Sequence, residues 1–342
     1  IYRVSETVPL GDGLKYIAST SMALSIHLRL DYPELEAVTY FSRPHQSDVT
    51  YNGLRLYEDR IHAVDEEFFD VFDFEFLEGS EETALKDVNT IAITASTAKK
   101  YFGNQDPIGK ILRINQIWNG RDMPFTVTGV LKDMPANSHF KMDILVGLNS
   151  LRSVMSNGIE GSWGWDSGYT YIKAPTNFDI AAMEASFPQF INKNMGYEVE
   201  WLTYFTRKMP EIHLQSDLNS ELEPNGNIED IYIFSIVAFA IIFIAAINYI
   251  NMATAVASRR SQEIGVLKTL GALKGQLIRQ FLTEAFLMTF IATLLAGFLA
   301  EMITPAFNDL SGSQLEIGFF EQPKRLLFFV LSSLSIGLIS GA

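Results

Sequence analysis

Apolar and polar residues follow two different rules along this chain, and the change falls near residue 230. Upstream, apolar positions come in short runs. Thr90-Ile91-Ala92-Ile93-Thr94 alternates, Phe125-Thr126-Val127-Thr128-Gly129-Val130 alternates with β-branched residues, and 168–173 is rich in Tyr, Thr and Ile, so each predicts a strand. Residues 201–205 predict another. Helices are predicted over 21–30, where Met22, Leu24, Ile26, Leu28 and Leu30 precede the Asp31-Tyr32-Pro33 stop, over 95–101, and over 179–192. The upstream part is therefore of mixed α and β character.

Downstream the rule is unbroken apolarity. Residues 231–257 contain no Asp, Glu, Lys or Arg, and 27 residues at 1.5 Å rise each suffice to cross a hydrocarbon layer about 30 Å thick. A second apolar run covers 285–300 and reaches spanning length with Leu277, Ile278, Phe281 and Leu282, giving a span of about 277–303. A third covers 326–342 and stops unfinished at Ala342. With a start at Ile1 and no initiator Met, the sequence reads as a fragment cut at both ends. The division is an extracytoplasmic α+β domain over 1–230 followed by transmembrane α-helices over 231–342.

Charge sharpens that division. The whole chain of 342 residues carries 26 basic and 40 acidic side chains, a net −14, yet residues 1–230 hold 34 acids and 19 bases while 231–342 hold 6 and 7. The loop 258–280 carries Arg259, Arg260, Lys268, Lys274 and Arg279 against Glu263, which predicts a cytoplasmic loop by the positive-inside bias. Residues 301–325 and the acidic 1–230 then lie outside. An acidic total excludes a non-specific nucleic-acid binder, and the absence of cysteine excludes disulfides, Cys-ligated metals and thiol nucleophiles.

Candidate chemistry is sparse. The stretch from Gly103 to Lys110 has the wrong glycine spacing for a phosphate loop, with Ile111 where Ser or Thr should hold magnesium, so it predicts a turn. His27, His45, His62, His139 and His213 are scattered without ligand spacing, and no catalytic set or metal site emerges. Asp65, Glu66, Glu67, Asp70 and Asp73 interleave with Phe68, Phe69, Val71 and Phe72, which predicts a solvated helical face over a phenylalanine core. Trp163-Gly164-Trp165-Asp166 predicts a buried hydrophobic corner.

The basic loop is more informative. Ile264, Leu267, Leu270 and Leu273 recur at near-helical spacing, Gly271 supplies a helix stop, and a short helix over 262–270 is expected along the inner membrane surface, its lysines facing anionic lipid. Asn248 and Asn251 are polar groups inside a span, suited to function or to hydrogen bonding between helices.

At these residues the chain resembles the MacB/FtsX-like family of ABC transporter permeases. The resemblance runs through Ala246-Ile247-Asn248-Tyr249-Ile250-Asn251, Ser258-Arg259-Arg260, Glu263-Ile264-Gly265-Val266-Leu267-Lys268, Leu270-Gly271-Ala272 and 276–284. Upstream it continues through Phe68-Phe69-Asp70-Val71-Phe72, 98–103, 107–110 and 125–130. It implies a MacB-like periplasmic core domain of two subdomains and four spans per unit, of which the first and the end of the fourth lie outside this fragment. It also implies a bacterial inner-membrane permease that performs no catalysis and binds no cofactor itself. ATP and magnesium would be held by a separate cytoplasmic ABC ATPase docked on the loop through Glu263, Gly265, Leu267, Lys268, Gly271 and Ala272.

A second permease copy or half would complete the transporter, and a periplasmic adaptor or hydrolase is a further expected partner. The implied function is mechanotransmission: ATP-driven movement of the loop passes along the 231–257 span to the external domain, exporting or extracting peptides, drugs or lipoproteins. The alternative is an FtsX-like signalling module that regulates a cell-wall hydrolase.

Overall fold

The computed structural model describes the chain apart from residues 11–12, 118–120, 136–137, 153–160, 165–167, 197–198, 272, 312–314, 316–317, 319–322 and 332–342. Two compact units emerge, Ile1–Ile228 and Glu229–Ala342.

In the first unit the chain runs β1 (Tyr2–Leu10), β2 (Gly13–Ile17), α1 (Met22–Asp31), β3 (Ala37–Ser42), β4 (His45–Tyr51), β5 (Leu54–Val64), α2 (Phe68–Val71) and β6 (Phe76–Glu78). It continues through β7 (Thr90–Thr94), α3 (Ala95–Phe102), β8 (Ile111–Gln116), β9 (Arg121–Leu131), β10 (Ile144–Gly147) and α4 (Leu148–Arg152). It ends with β11 (Gly168–Lys173), α5 (Ile180–Met195), β12 (Tyr204–Lys208) and α6 (Met209–Gln215).

One half of this unit is a closed barrel. Strands β5, β4, β8, β9, β7 and β10 pair in that order, and β10 pairs back onto β5. The joins β7–β9 and β10–β5 are parallel and the other four antiparallel. Closure follows from the apolar alternation: Val49, Ile61, Ile91, Ile93, Leu112, Ile114, Phe125, Val127, Ile144 and Val146 are fully buried in one cluster, and closing the ring leaves no edge unpaired around it. Helix α3 adds Tyr101 and Phe102 to that cluster, and its first turn is capped by the Thr94 hydroxyl, which accepts from Thr97 N.

The other half is an open sheet ordered β3-β11-β1-β12. Alternation along β11 divides its cores. Tyr169 and Tyr171 meet Phe41, Phe68, Phe72 and Phe140 on one face, while Ile172 joins Val4 and Val38 on the other under Leu24 and Leu28 of α1 and Phe187 and Phe190 of α5.

The strands expected at 90–94 and 168–173 form with those bounds, and the pattern at 125–130 is the middle of the longer β9. The strand expected at 201–205 starts three residues later. The registered pairing with β1 begins at Tyr204, opposite Glu6, while the Thr7 hydroxyl takes Trp201 O and Thr203 N and Thr7 N donates to Thr203 O at 3.0 Å. The acidic stretch 65–73 also differs from expectation. Only four residues are helical, and Asp65 is buried, accepting from Arg29 Nη2, from Thr39 Oγ1 at 2.6 Å and from Tyr40 N at 2.7 Å. Burial raises the Asp65 carboxyl pKa, and those donors oppose the rise. Trp163 packs edge-on to Phe190 and stacks on His27 at 5.1 Å, whereas Trp165 lies outside the described residues. The stretch from Gly103 to Lys110 is a turn, with Gly103 and Gly109 both at positive φ.

The second unit contains α7 (Ile228–Thr269) and α8 (Lys274–Ser311), with residues 323–331 also helical. Both long helices contain segments long and apolar enough to cross a membrane, Ile228–Val256 and Lys274–Leu310. The remainder of the third expected span, 332–342, lies outside the described residues. The separate helix expected over 262–270 is not separate: residues 258–269 continue α7 without a break. Nothing in Ser258-Arg259-Arg260-Ser261-Gln262-Glu263 carries the Pro or paired Gly that kinks a helix, and Arg, Gln and Glu favour helix. At 42 residues α7 is about 63 Å long, roughly twice the hydrocarbon thickness.

Candidate coupling site

The residues expected to couple to an ATPase fall at one place along the chain. Glu263, Gly265, Leu267 and Lys268 lie on the last turns of α7, Gly271 lies in the turn that follows, and Ala272 lies outside the described residues. Gly271 stands at φ +94°, a conformation a side chain would strain, and its N–H donates to Lys268 O at 3.1 Å to close the helix. The next helix is capped by its own residue: Gln276 Oε1 accepts from Leu273 N at 3.0 Å and Gln276 N donates to Leu273 O at 2.9 Å. Around this turn Leu267, Leu270 and Leu273 are exposed by 37%, 79% and 68%, an apolar patch beside the charge of Lys268 and Lys274. Asn248 and Asn251 stand three residues apart on α7, near one face and both exposed.

A second set of residues, in the first unit, holds the segment that leads along the chain into α7. Residues 216–227 carry no helix, and their backbone is fixed to the open sheet by contacts from distant sequence. Asn219 N donates to Tyr16 O at 3.0 Å and Ala18 N donates to Asn219 O at 2.9 Å, so residue 219 makes a parallel bridge with Ile17 at the end of β2. Tyr169 Oη donates to Ser220 O at 2.9 Å. Leu218 and Leu222 pack against the phenylalanine cluster.

The strongest tie is ionic. Arg3 on β1 has no exposed surface, and its guanidinium forks onto Glu221, with Nη1 to Oε2 at 2.5 Å and Nη2 to Oε1 at 2.8 Å, while Nη2 also reaches Ser216 Oγ at 2.9 Å. Burial alone would lower the Arg3 pKa, but the Glu221 hydrogen bond and Tyr171 outweigh it and raise the value. Opposite, burial pushes the Tyr169 phenol up to about 12 and raises Tyr171 as well, so both stay neutral hydroxyls and Tyr169 donates to Ser220 O. His139 Nε2 sits 2.8 Å from Tyr171 Oη, and burial, reinforced by Arg3 and His213, lowers its pKa to about 4.

Arg3, Ser216, Asn219 and Glu221 were not among the residues singled out from the sequence. No local signal marks them, because the ion pair joins residues 218 positions apart. A charged residue alternating with apolar ones in a strand such as Tyr2-Arg3-Val4-Ser5 reads equally well as an exposed edge position.

Two family profiles match the chain: the MacB-like periplasmic core domain over residues 2–190 and the FtsX-like permease C-terminal over residues 235–342. The macrolide export ATP-binding/permease protein MacB of Neisseria gonorrhoeae is 25% identical over 251 residues, covering 72% of this chain and 36% of that protein. The ABC transporter permease YknZ of Bacillus subtilis is 25% identical over 251 residues, covering 73% of this chain and 55% of that protein. The chain thus spans about a third to a half of the curated relatives it matches. Among solved structures, the periplasmic region of MacB from Actinobacillus actinomycetemcomitans aligns with a TM-score of 0.43 at 16% identity, over 62% of this chain and 89% of that one.

Proposed function

The chain belongs to the MacB/FtsX-like family of ABC transporter permeases, and from that premise we propose that it couples ATP hydrolysis in a partner subunit to movement of its external domain. The observation that carries this reading is the continuity of α7, one helix from residue 228 to residue 269 whose last turn holds the exposed Leu267 and Lys268, with exposed Leu270 and Leu273 just beyond it. A hydrogen-bonded helix resists compression and bending, so a push on the Leu267–Leu270 end is delivered along its axis. The segment before it, tied by Arg3 to Glu221, receives that displacement and passes it to β1 and the open sheet. ATP and magnesium act in the partner ATPase, and the permease contributes the lever.

Docking on the loop would use Leu267, Leu270 and Leu273 as the apolar contact and Lys268 and Lys274 as its charged rim, with Glu263, Gly265, Gly271 and Ala272 as further contact residues. A few kcal/mol of differential contact there is enough to bias a two-state element. The span would be completed into a transporter by a second permease copy, with Asn248 and Asn251 available for hydrogen bonds between helices. Export or extraction of peptides, drugs or lipoproteins from the outer side of the inner membrane follows as the expected work of such a lever.

The test is Leu267→Asp in the full chain, reconstituted with its ATPase. The variant is expected to insert and fold normally while losing permease-dependent stimulation of ATP hydrolysis. Unchanged stimulation would overturn the docking role of the loop.

A further inference from the structure

A small charged cavity lies on the wall of the barrel, and a distortion of that wall builds it. Strand β4 pairs with β5 at His45↔Ile61 and next at Ser47↔Glu58, so the single residue Gln46 stands opposite two residues, Asp59 and Arg60. Such a β-bulge breaks the in-and-out alternation and re-aims side chains. Here Gln46, Asp59 and Arg60 all line one cavity of about 210 Å³. The rest of the wall comes from elsewhere in the chain: Lys141, just before β10, and Glu223, in the segment that leads to α7. The buried ring of His62 also lines it, with Nδ1 2.9 Å from Ser42 O, and it is neutral at physiological pH because burial lowers its pKa to about 4.

The charges left in the cavity are two bases, Arg60 and Lys141, and two acids, Asp59 and Glu223. Arg60 is not consumed by a tight internal pair: its nearest ion-pair contact, to Asp143, is at 3.9 Å, beyond hydrogen-bond distance. A lone anion or a lone cation would meet repulsion from half of this lining. A molecule carrying both signs a few ångströms apart can offer each of them an opposite charge.

We propose that this cavity binds a zwitterion of amino-acid size, its carboxylate held by Arg60 and Lys141 and its ammonium by Asp59 and Glu223. Size supports the choice, since pockets for drug-sized ligands run from about 300 to 1,000 Å³ and this one is smaller. The inference does not depend on the coupling reading, although a ligand that touches Glu223 and the barrel together must bind with an affinity sensitive to where residues 216–227 lie, and by linkage must bias their position in return.

The experiment uses the full chain in lipid nanodiscs and ligand-detected saturation-transfer NMR with each of the twenty free amino acids. At least one is expected to bind, and its N-acetyl and carboxamide derivatives are expected to bind roughly tenfold more weakly or worse, the loss from removing one charged hydrogen-bond partner. Arg60→Gln and Glu223→Gln should each cause a similar loss, with unfolding temperature as the control for folding. The derivatives test the wild-type protein and so decide the matter even if a variant misfolds. Dipeptides separate a free amino acid from a peptide end, which keeps only one of the two charges at the terminal residue. No binding of any amino acid at about 10 mM, a concentration that detects even millimolar affinity, overturns the proposal. So does equal binding of the blocked derivatives, or binding that neither substitution weakens.

Discussion

Arg3 shows what a single buried charge does in this molecule. Its pair with Glu221 forms only while residues 216–221 lie on the sheet, so the ion pair makes the docked position of that segment the one arrangement in which neither charge is stranded. Glu221→Leu should therefore destabilise the external unit by about 3–5 kcal/mol, because it leaves a buried guanidinium without a counter-charge, whereas Arg3→Met with Glu221→Leu should cost less than the single change. All four tryptophans precede residue 230, so denaturant unfolding of the full chain followed by tryptophan fluorescence reports on this unit alone. A double variant less stable than Glu221→Leu would contradict the account. His62 gives a second prediction at this scale. Its pKa is about 4 when folded against an ordinary 6.5, so between those values the unfolded chain takes up a proton that the folded one does not. Stability from this group is fully present above pH 6.5 and is lost as pH falls towards 4, by up to about 3 kcal/mol. Subtracting the stability of His62→Gln from that of the wild type, pH by pH over this window, should recover that slope.

Among the elements, strand β11 and helix α7 place the tightest demands on sequence. Gly168 opens β11 opposite Ser42, and a methyl group there would stand 2.4 Å from both Phe41 O and the Tyr40 ring. Gly168→Ala must push β3 and β11 apart, an overpacking cost of about 1–3 kcal/mol, measurable as a lower denaturant midpoint by the same fluorescence. The Tyr-Thr-Tyr-Ile pattern made β11 legible in the sequence, because each residue type suits a strand buried on both faces. By contrast β12 was placed three residues early. The Thr7 hydroxyl engages Trp201 and Thr203 at this end of the pairing, a contact across 194 residues that local alternation cannot carry. The course of α7 was misjudged for a different reason. Amphipathic spacing after a span suggests a surface helix, but spacing says nothing about whether the backbone turns, and only a breaker would make it do so. Ser261→Pro supplies one: it removes a backbone donor and costs about 3 kcal/mol in a helix interior. The chain should still insert, and ATP hydrolysis by the partner should continue while no longer driving substrate movement, read as ATPase activity against transport in one proteoliposome preparation.

For the molecule as a whole, the legible part was the contrast between an acidic α+β region of short strands and a nearly neutral region of long apolar helices, since burial against water and burial in lipid select different compositions. What stayed illegible was the closed barrel, because ring closure depends on β10 pairing with β5, strands some 80 residues apart whose apolar patterns do not name their partners. The charge contrast also predicts an orientation that can be tested directly. The turn between α7 and α8 has the basic surplus and is expected to face the cytoplasm, with residues 1–228 expected on the other side of the membrane. Because residues 1–342 contain no cysteine, a single-cysteine variant places one thiol of known position in this stretch. Lys268→Cys and Glu36→Cys change exposed residues, so neither should disturb folding. In intact cells a membrane-impermeant maleimide should label the variant at position 36 and spare the one at 268, and permeabilisation should make both reactive. Labelling of position 268 in intact cells would reverse the orientation, and with it the side from which an ATPase could reach Leu267, Leu270 and Leu273.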